Sequence, residues 1–145
     1  MIYTLFSTLI LILESIIKKR REENTKEYEL CNGNVHIMTY HNDGAFMNLG
    51  EKKPAIVKYF SIALTLLISC VFLITLTTHG NRVLKLGLSI LLGGAFSNTY
   101  DRMKKSYVVD YINFPKSPFK IKNMVFNISD FAILIGSLIV IIRAS

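Results

Sequence analysis

Four apolar runs divide this chain, and its charged residues are concentrated between them rather than spread along the sequence. The runs cover about residues 1–17, 55–78, 83–100 and 128–142. A helix that crosses a bilayer needs about 20 residues, and about 17 are tolerated. The second run is amply long, whereas the shorter runs span only if the helices pack together and thin the bilayer locally. We therefore predict an all-α membrane protein with four transmembrane helices in one domain, residues 1–145.

Basic residues flank these runs and give the chain a net charge of +7. In that position they favour anionic lipid head groups as partners over nucleic acid. The block KKRR directly follows the first run, which lacks a basic start and a small-residue cleavage site. We therefore expect the first run to be a retained helix and not a cleaved signal peptide.

The connections between the runs predict a small β element on one side of the membrane. Residues 27–50 contain short β-type pieces separated by Asn-Gly and Asn-Asp-Gly, which are typical of hairpin turns. The third connection contains YVVDYINF, which is also a predicted strand. Four helices place the first and third connections on the same side, so their polar residues are expected to meet.

Two aspartates stand at the ends of apolar segments, and each admits two interpretations. Asp130 has the position of a third helical residue after an Asn127 cap, and Asp110 could simply pair with Lys104 or Lys105. Alternatively, two carboxyl groups close together in a dry site share one proton. Such a pair can activate a water molecule and protonate a substrate, which hydrolyses a peptide without a metal.

Other polar residues within or beside the apolar runs are candidates for supporting roles. Asn98 and Arg102 are four residues apart and share a helix face. Arg102 is either an anchor at the membrane interface or a partner for a carboxylate or a substrate carbonyl. Glu14 and Lys18 are spaced for a buried ion pair, although an acid inside the membrane is also a functional candidate.

Metal and disulfide chemistry are not expected. The three histidines have no Cys or acidic partners at ligand spacing, and we expect no cofactor. Cys31 lies in a polar connection and Cys70 lies deep in an apolar run, so we expect them not to pair.

Taken together, these segments resemble the lipoprotein signal peptidases (signal peptidase II), the membrane aspartic peptidases of bacteria. That family shows Gly-Gly-Ala-x-Gly-Asn-x-x-Asp-Arg, then Val-Val-Asp-Phe, then Phe-Asn-x-Ala-Asp. The corresponding segments here are GGAFSNTYDR (93–102), VVDY (108–111) and FNISD (126–130), with NDGAF (42–46) and ESIIK (14–18) resembling two earlier family segments. Ser97, Ser129 and Glu14-Ser15 depart from the family pattern, where Gly, Ala and Asp-Gln stand.

The resemblance implies that Asp110 and Asp130 are the catalytic pair. It implies binding or supporting roles for seven further residues: Asn98, Arg102, Asn127, Asn42, Gly44, Glu14 and Lys18. The implied substrate is a prolipoprotein whose cysteine carries diacylglycerol, and the cut falls just before that cysteine. We expect the first-connection segment NDGAFMNLG to close over the peptide, with Phe46 and Met47 directed toward the apolar layer. The implied enzyme lies in the bacterial cell membrane, with membrane lipid around it and its site near the extracytoplasmic face. We expect it to be a monomer.

Three observations keep alternatives open. Basic residues are concentrated in the first and third connections, and the positive-inside rule places such connections in the cytoplasm. We follow the family pattern, which places them outside. The departures at Ser97 and Ser129 also fit a non-catalytic or narrowed-substrate paralogue that binds lipoprotein precursors. A small transporter subunit that relays protons through Glu14 and the aspartates is a third interpretation.

Overall fold

The computed structural model describes residues 2–45 and 49–144. The described residues form four α-helices: α1 (Ile2–Glu23), α2 (Pro54–Thr77), α3 (Arg82–Lys105) and α4 (Ile128–Ala144). They also form four strands and one 3-10 helix: β1 (Tyr28–Leu30), β2 (Val35–Asn42), β3 (Val108–Asn113), β4 (Val125–Phe126) and the 3-10 helix Phe119–Asn123. The predicted mainly helical fold with four helices is confirmed, and the expected closure by Phe46 and Met47 lies outside the described residues.

The β element is one sheet that includes both connections, whereas the sequence interpretation placed the β element in the first connection and a separate strand in the third. The four strands form one antiparallel sheet in the order β1-β2-β3-β4, so strands of the first and third connections pair directly. Tyr40 of β2 lies opposite Asp110 of β3. The β1–β2 turn has positive φ angles at Cys31, Asn32 and Gly33, as a tight hairpin requires. The sheet therefore joins the two polar connections, as the even number of helices predicts.

Small residues let α3 pack closely between α1 and α4. A Cβ atom on Gly94 would lie 2.5 Å from the backbone oxygen of Ser129 on α4. A Cβ atom on Gly93 would lie 2.9 Å from Cβ of Ile10 on α1. Both distances are shorter than real carbon contacts, so the two glycines let the backbones come close together. This close approach carries the polar end of α3 to the start of α4.

The sequence interpretation ended α1 near residue 17, and the structure shows that this end is wrong. The helix continues through the basic block to Glu23. Lysine, arginine and glutamate are good helix formers, and Lys19 and Glu23 form an ion pair of 3.8 Å one turn apart. Lys18 consequently lies on the helix, with a side chain that is only 2% exposed.

The third helix is also longer than the apolar run, which ended near residue 100. It continues to Lys105, and Asp101 pairs with Lys105 at 3.3 Å across one turn. Ser106 ends the helix with a φ of 72°, and its N–H donates to the carbonyl of Arg102 at 3.1 Å. Asp101 and Arg102 therefore belong to a helix, which gives their side chains fixed directions.

Apolar side chains cover much of the outer surface of the helices. Exposed examples are Leu9 on α1, Phe60 and Cys70 on α2, and Leu138 on α4. Of the helices that the structure describes, α2 alone is both long and apolar enough to cross a membrane by length and composition. One candidate span is thus found, and the other three predicted spans remain predictions.

Candidate active site

Asp110 occupies the middle of β3, where its side chain is buried and hydrogen-bonded at both oxygens. The side-chain amide of Asn42, at the end of β2, donates to Oδ2 at 2.8 Å. The side-chain amide of Asn127 donates to Oδ1 at 2.6 Å. Asp110 itself is 1% exposed. Two neutral donors therefore hold this carboxyl group inside the protein.

The suggested pairing of Asp110 with Lys104 or Lys105 is wrong. Lys105 instead contacts Glu22 of α1 at 2.6 Å and Asp101 at 3.3 Å. Asp110 is instead hydrogen-bonded to Asn42 and Asn127.

Asp130 lies in the first turn of α4, where the predicted cap is confirmed. Oδ1 of Asn127 accepts the backbone N–H of Asp130 at 3.0 Å, and Oδ2 of Asp130 accepts the backbone N–H of Asn127 at 3.0 Å. This reciprocal pair is a capping box, and the positive end of the helix favours the carboxylate. The side-chain amide of Asn98 donates to the other oxygen of Asp130 at 2.9 Å. Asp130 can therefore take part in the helix cap and also belong to the carboxyl pair.

Asn127 connects the two aspartates. Its side-chain nitrogen contacts Asp110, and its backbone nitrogen contacts Asp130. The same side-chain nitrogen lies 3.2 Å from Oδ1 of Asn98, and Asn127 is fully buried. One residue at the junction between β4 and α4 thus fixes both acids of the predicted pair.

Burial and, to a smaller extent, the negative charge of Asp130 together raise the pKa of Asp110 from its ordinary value to about 7. The hydrogen bonds from Asn42 and Asn127 act in the opposite direction, because they stabilise the ionised form. Near neutral pH this carboxyl group therefore retains a proton part of the time. A pair that holds one proton is the state that acid–base hydrolysis needs.

A cavity of about 360 Å³ contains both carboxyl groups at the junction of the sheet with α3 and α4. Its walls also include Asn42, Asn98, Arg102, Tyr40 and Phe126. The cavity is polar on the side of the aspartates and apolar at Phe126 and Val108. Both acids therefore face one cavity with polar and apolar walls.

Arg102 supports the turn that follows β2. Its Nη2 atom donates to the carbonyl of Gly44 at 2.7 Å, and the N–H of Gly44 donates to Oδ1 of Asn42 at 2.9 Å. Arg102 is 7% exposed, so its interpretation as an anchor in the membrane interface is wrong. The alternative that Arg102 is a partner for a carboxylate or a substrate carbonyl stays a prediction, and the carbonyl that Arg102 binds in this structure is that of Gly44.

The predicted ion pair between Glu14 and Lys18 is confirmed, with 3.5 Å between Oε2 and Nζ. Lys18 also contacts Asp101 at 3.1 Å and donates to Oδ1 of Asn98 at 2.9 Å. Since Oδ1 of Asn98 faces this ammonium group, the amide nitrogen of Asn98 is directed at Asp130. Lys18 therefore orients a contact of the aspartate pair from a different helix.

Three contributors were missed or left without a role by sequence reasoning: Tyr111, Ser129 and Asp101. The Tyr111 hydroxyl donates to Glu14, and the Ser129 hydroxyl donates to Oε2 of Glu14 at 3.1 Å. Burial raises the pKa of the Tyr111 hydroxyl, as does the nearby charge of Glu14. The sequence clue was a hydroxyl residue directly beside each aspartate in otherwise apolar segments.

The departures from the family pattern belong to this same polar cluster. Ser97 accepts a hydrogen bond from Lys18 at 3.0 Å, and Ser129 donates to Glu14. Both serines contact α1, while the hydrogen bonds to the aspartates come from asparagines. Among the residues that the structure describes, no group of three His, Cys, Asp or Glu side chains is arranged to hold a metal ion.

Comparison with known proteins agrees with this geometry. The model of the signal peptidase (SPase) II family matches residues 6–145. The chain belongs to this family. A lipoprotein signal peptidase of Coxiella burnetii is 31% identical over 107 residues, which are 73% of this chain and 64% of that relative. The matched part is thus less than two thirds of the Coxiella protein's length.

Other relatives of the signal peptidase II chain match over more of their length. The lipoprotein signal peptidase of Lactobacillus johnsonii is 26% identical over 144 residues, covering 97% of this chain and 90% of the relative. A bacterial membrane enzyme solved by the in meso method at 2.3 Å resolution has a TM-score of 0.82 and 22% identity. The match covers 98% of this chain and 86% of that structure, and it shows a shared fold.

Proposed function

We propose that this signal peptidase II chain is an aspartic endopeptidase that cleaves the signal peptide of diacylglyceryl-modified prolipoproteins just before the lipidated cysteine. The observation that carries the proposal is the bridging of Asp110 and Asp130 by Asn127 inside one cavity. Membership of the family supports the substrate class, because the relatives are named lipoprotein signal peptidases.

In the proposed reaction, the two carboxyl groups hold one proton between them. The ionised group removes a proton from a water molecule, which attacks the scissile carbonyl carbon. The protonated group donates to the carbonyl oxygen, and a proton then passes to the leaving nitrogen as the C–N bond breaks. Asn42, Asn98 and Asn127 keep the carboxyl oxygens in place, and no side chain forms a covalent intermediate.

Gly44 and Arg102 are proposed to place the peptide. Arg102 holds the turn at Gly44 against α3, beside the cavity that contains both aspartates. A main chain that passes between this turn and β3 would present its scissile bond to Asp110. This arrangement favours a role for Arg102 and Gly44 in positioning the substrate rather than in the chemical step.

An apolar groove of about 860 Å³ adjoins the cavity and is a candidate for the lipid of the substrate. Phe126 and Met124 line both spaces, and Phe114, Phe131 and Leu134 line the groove. Each buried methylene contributes about 0.8 kcal/mol, so acyl chains supply much of the binding. The groove supports recognition of a lipidated substrate in preference to a soluble peptide.

We further propose one integral membrane domain of four spans, with the sheet and the site outside the cytoplasm and membrane lipid around the helices. Exposed apolar side chains on α1 and α4 support additional spans beside α2. The charge conflict with the positive-inside rule is smaller than the sequence suggested. Three of the basic residues counted by that rule form ion pairs or hydrogen bonds within the protein and are therefore not free surface charges: Lys18, Arg102 and Lys105.

Side-by-side digestion tests the proposal. Purified protein in detergent is given the same prolipoprotein with and without diacylglycerol on its cysteine, and products are followed by gel shift and mass spectrometry. We expect cleavage before the cysteine of the lipidated form and little cleavage of the other form. Equal rates on both forms would show that lipid is not the recognised feature. No cleavage of either form by folded protein would favour the non-catalytic paralogue.

A further inference from the structure

Glu14 is a fully buried carboxylate in the middle of α1, and its partners come from three elements. The Tyr111 hydroxyl on β3 donates to Oε1, and the Ser129 hydroxyl on α4 donates to Oε2 at 3.1 Å. Lys18, one turn along α1, lies 3.5 Å from Oε2. Glu14 is 0% exposed. A buried carboxylate is thus satisfied by two hydroxyl groups and one ammonium group.

Both hydroxyl partners are sequence neighbours of the aspartate pair. Tyr111 directly follows Asp110 on β3, and Ser129 directly precedes Asp130 on α4. Successive strand residues face opposite sides, so Asp110 points into the cavity while Tyr111 reaches α1 behind it. The Tyr111 hydroxyl also accepts the backbone N–H of Ile128 at 3.4 Å. Strand β3 and the first turn of α4 therefore meet at one carboxylate.

We infer that Glu14 is a positioning residue that sets the separation of Asp110 and Asp130 by binding the residue next to each of them. Glu14 acts through Tyr111 and Ser129, since it does not belong to the described lining of the cavity. The kinetic test of this inference rests on the proposed peptidase function. A second test follows the titration of the aspartate pair and needs no cleavage.

A carboxylate is suited to this position because it accepts from several donors at once. Hydrogen bonds to an ionised acceptor are roughly twice as strong as neutral ones. A glutamine would offer one accepting oxygen, and its NH₂ group would face a hydroxyl or the ammonium group of Lys18. A displacement of about 1 Å at reacting groups can cost roughly 10²-fold in rate. A small change at Glu14 is therefore expected to be visible at the aspartates.

The test removes the two hydroxyl groups and leaves the carboxylate. Tyr111→Phe and Ser129→Ala each delete one oxygen with little change of shape, and the double variant deletes both. On lipidated precursor we expect kcat to fall roughly 10-fold in each single variant and roughly 10²-fold in the double variant. We expect KM to change by less than about 2-fold, because neither replaced side chain belongs to the described lining of the cavity.

The second readout is the titration of Asp110, followed by the infrared carboxyl band that Asp110→Asn removes. Loosening the pair admits water and weakens repulsion from Asp130, and both effects lower the pKa of Asp110. We expect the midpoint to fall by about one pH unit in the double variant. The charged groups near Asp110, which are Asp130, Lys18 and Arg102, are the same in every variant.

Two matched variants serve as controls. Tyr107→Phe removes a tyrosine–glutamate hydrogen bond of 3.0 Å to Glu22 of α1, away from the aspartates. Ser89→Ala removes a buried hydroxyl that donates within α3 at 2.8 Å. Both are expected to keep the wild-type titration midpoint and kcat. Melting temperatures of all variants establish that they are folded.

The outcomes separate this inference from the proposed function. If the wild-type protein does not cleave the precursor, the proposed function fails and the titration alone judges Glu14. A folded double variant with the wild-type midpoint overturns the inference, whatever its rates. If the double variant does not fold, the titration of Asp110 is measured in Ser129→Ala instead. We expect its midpoint to fall by less than in the double variant. An unchanged midpoint in Ser129→Ala would count against the inference.

Discussion

The side-chain nitrogen of Asn127 lies 2.6 Å from Oδ1 of Asp110, and both groups are buried. This contact joins the residue before α4 to the middle of β3 across 17 positions of the sequence. Asn127 is also the cap of α4, so the helix start and the aspartate pair depend on the same side chain. Because the side-chain amide of Asn127 is uncharged, it can hold the carboxyl group of Asp110 in place without requiring that group to be ionised.

The aspartate pair is predicted to be essential for cleavage. Asp110→Asn and Asp130→Asn each replace a carboxyl group by an amide of nearly the same shape that cannot take up or share a proton. We expect rates at least roughly 10²–10⁴-fold lower on lipidated precursor, with folded protein. Glu29→Gln, the same chemical change at an exposed position on β1, is expected to keep full activity. Near-wild-type turnover by either aspartate variant would refute the assignment.

Replacement of Asn127 is predicted to separate capping from support of the aspartates. Serine is a good helix cap but cannot donate as the amide does to Asp110. Asn127→Ser is therefore expected to unfold at a higher temperature than Asn127→Ala, with a difference of about 1 kcal/mol in the free energy of unfolding. Both variants are expected to lose most activity. Calorimetry and the cleavage assay measure the two effects, and an active Asn127→Ser variant would contradict the proposed bridge.

The stability of the protein is predicted to depend on pH through Asp110. Its pKa is about 7 in the folded state and near the ordinary 3.8 when unfolded, so the folded state binds more protons between these values. The free energy of unfolding therefore contains a contribution that is fully present below about pH 4 and is lost as the pH rises to about 7. Asp110→Asn should flatten this part of a plot of melting temperature against pH. An identical slope in the two proteins would show that Asp110 is ionised normally.

The orientation of the sheet can be tested with the two exposed cysteines, Cys31 and Cys70. In a Cys70→Ser variant, Cys31 at the β1–β2 turn is expected to react with a membrane-impermeant thiol reagent on intact cells. A matched variant carries His79→Cys in place of both native cysteines, at the exposed turn between α2 and α3. That site is expected to react only after lysis. The reverse pattern would place the sheet in the cytoplasm, as the positive-inside rule suggests.

The sequence by itself determined the features that depend on neighbouring residues. Apolar runs located the four helices, the spacing of Asn127 and Asp130 predicted the capping box, and the Asn-Gly turn predicted the hairpin. Family motifs placed Asp110 and Asp130 in one candidate site. These features were readable because helix caps, turns and periodicity involve residues within one or two turns of each other.

Only the tertiary structure decided which polar groups meet. Asp110 contacts Asn42 and Asn127 and not a nearby lysine, because strand alternation turns its side chain toward the cavity. Glu14 contacts Tyr111 and Ser129, which lie 97 and 115 positions away. Such pairs depend on glycine-mediated helix contact and on the pairing of β2 with β3, which local patterns do not encode. Burial then decides the chemistry, since the pKa of a carboxyl group depends on what surrounds it and not on its place in the sequence.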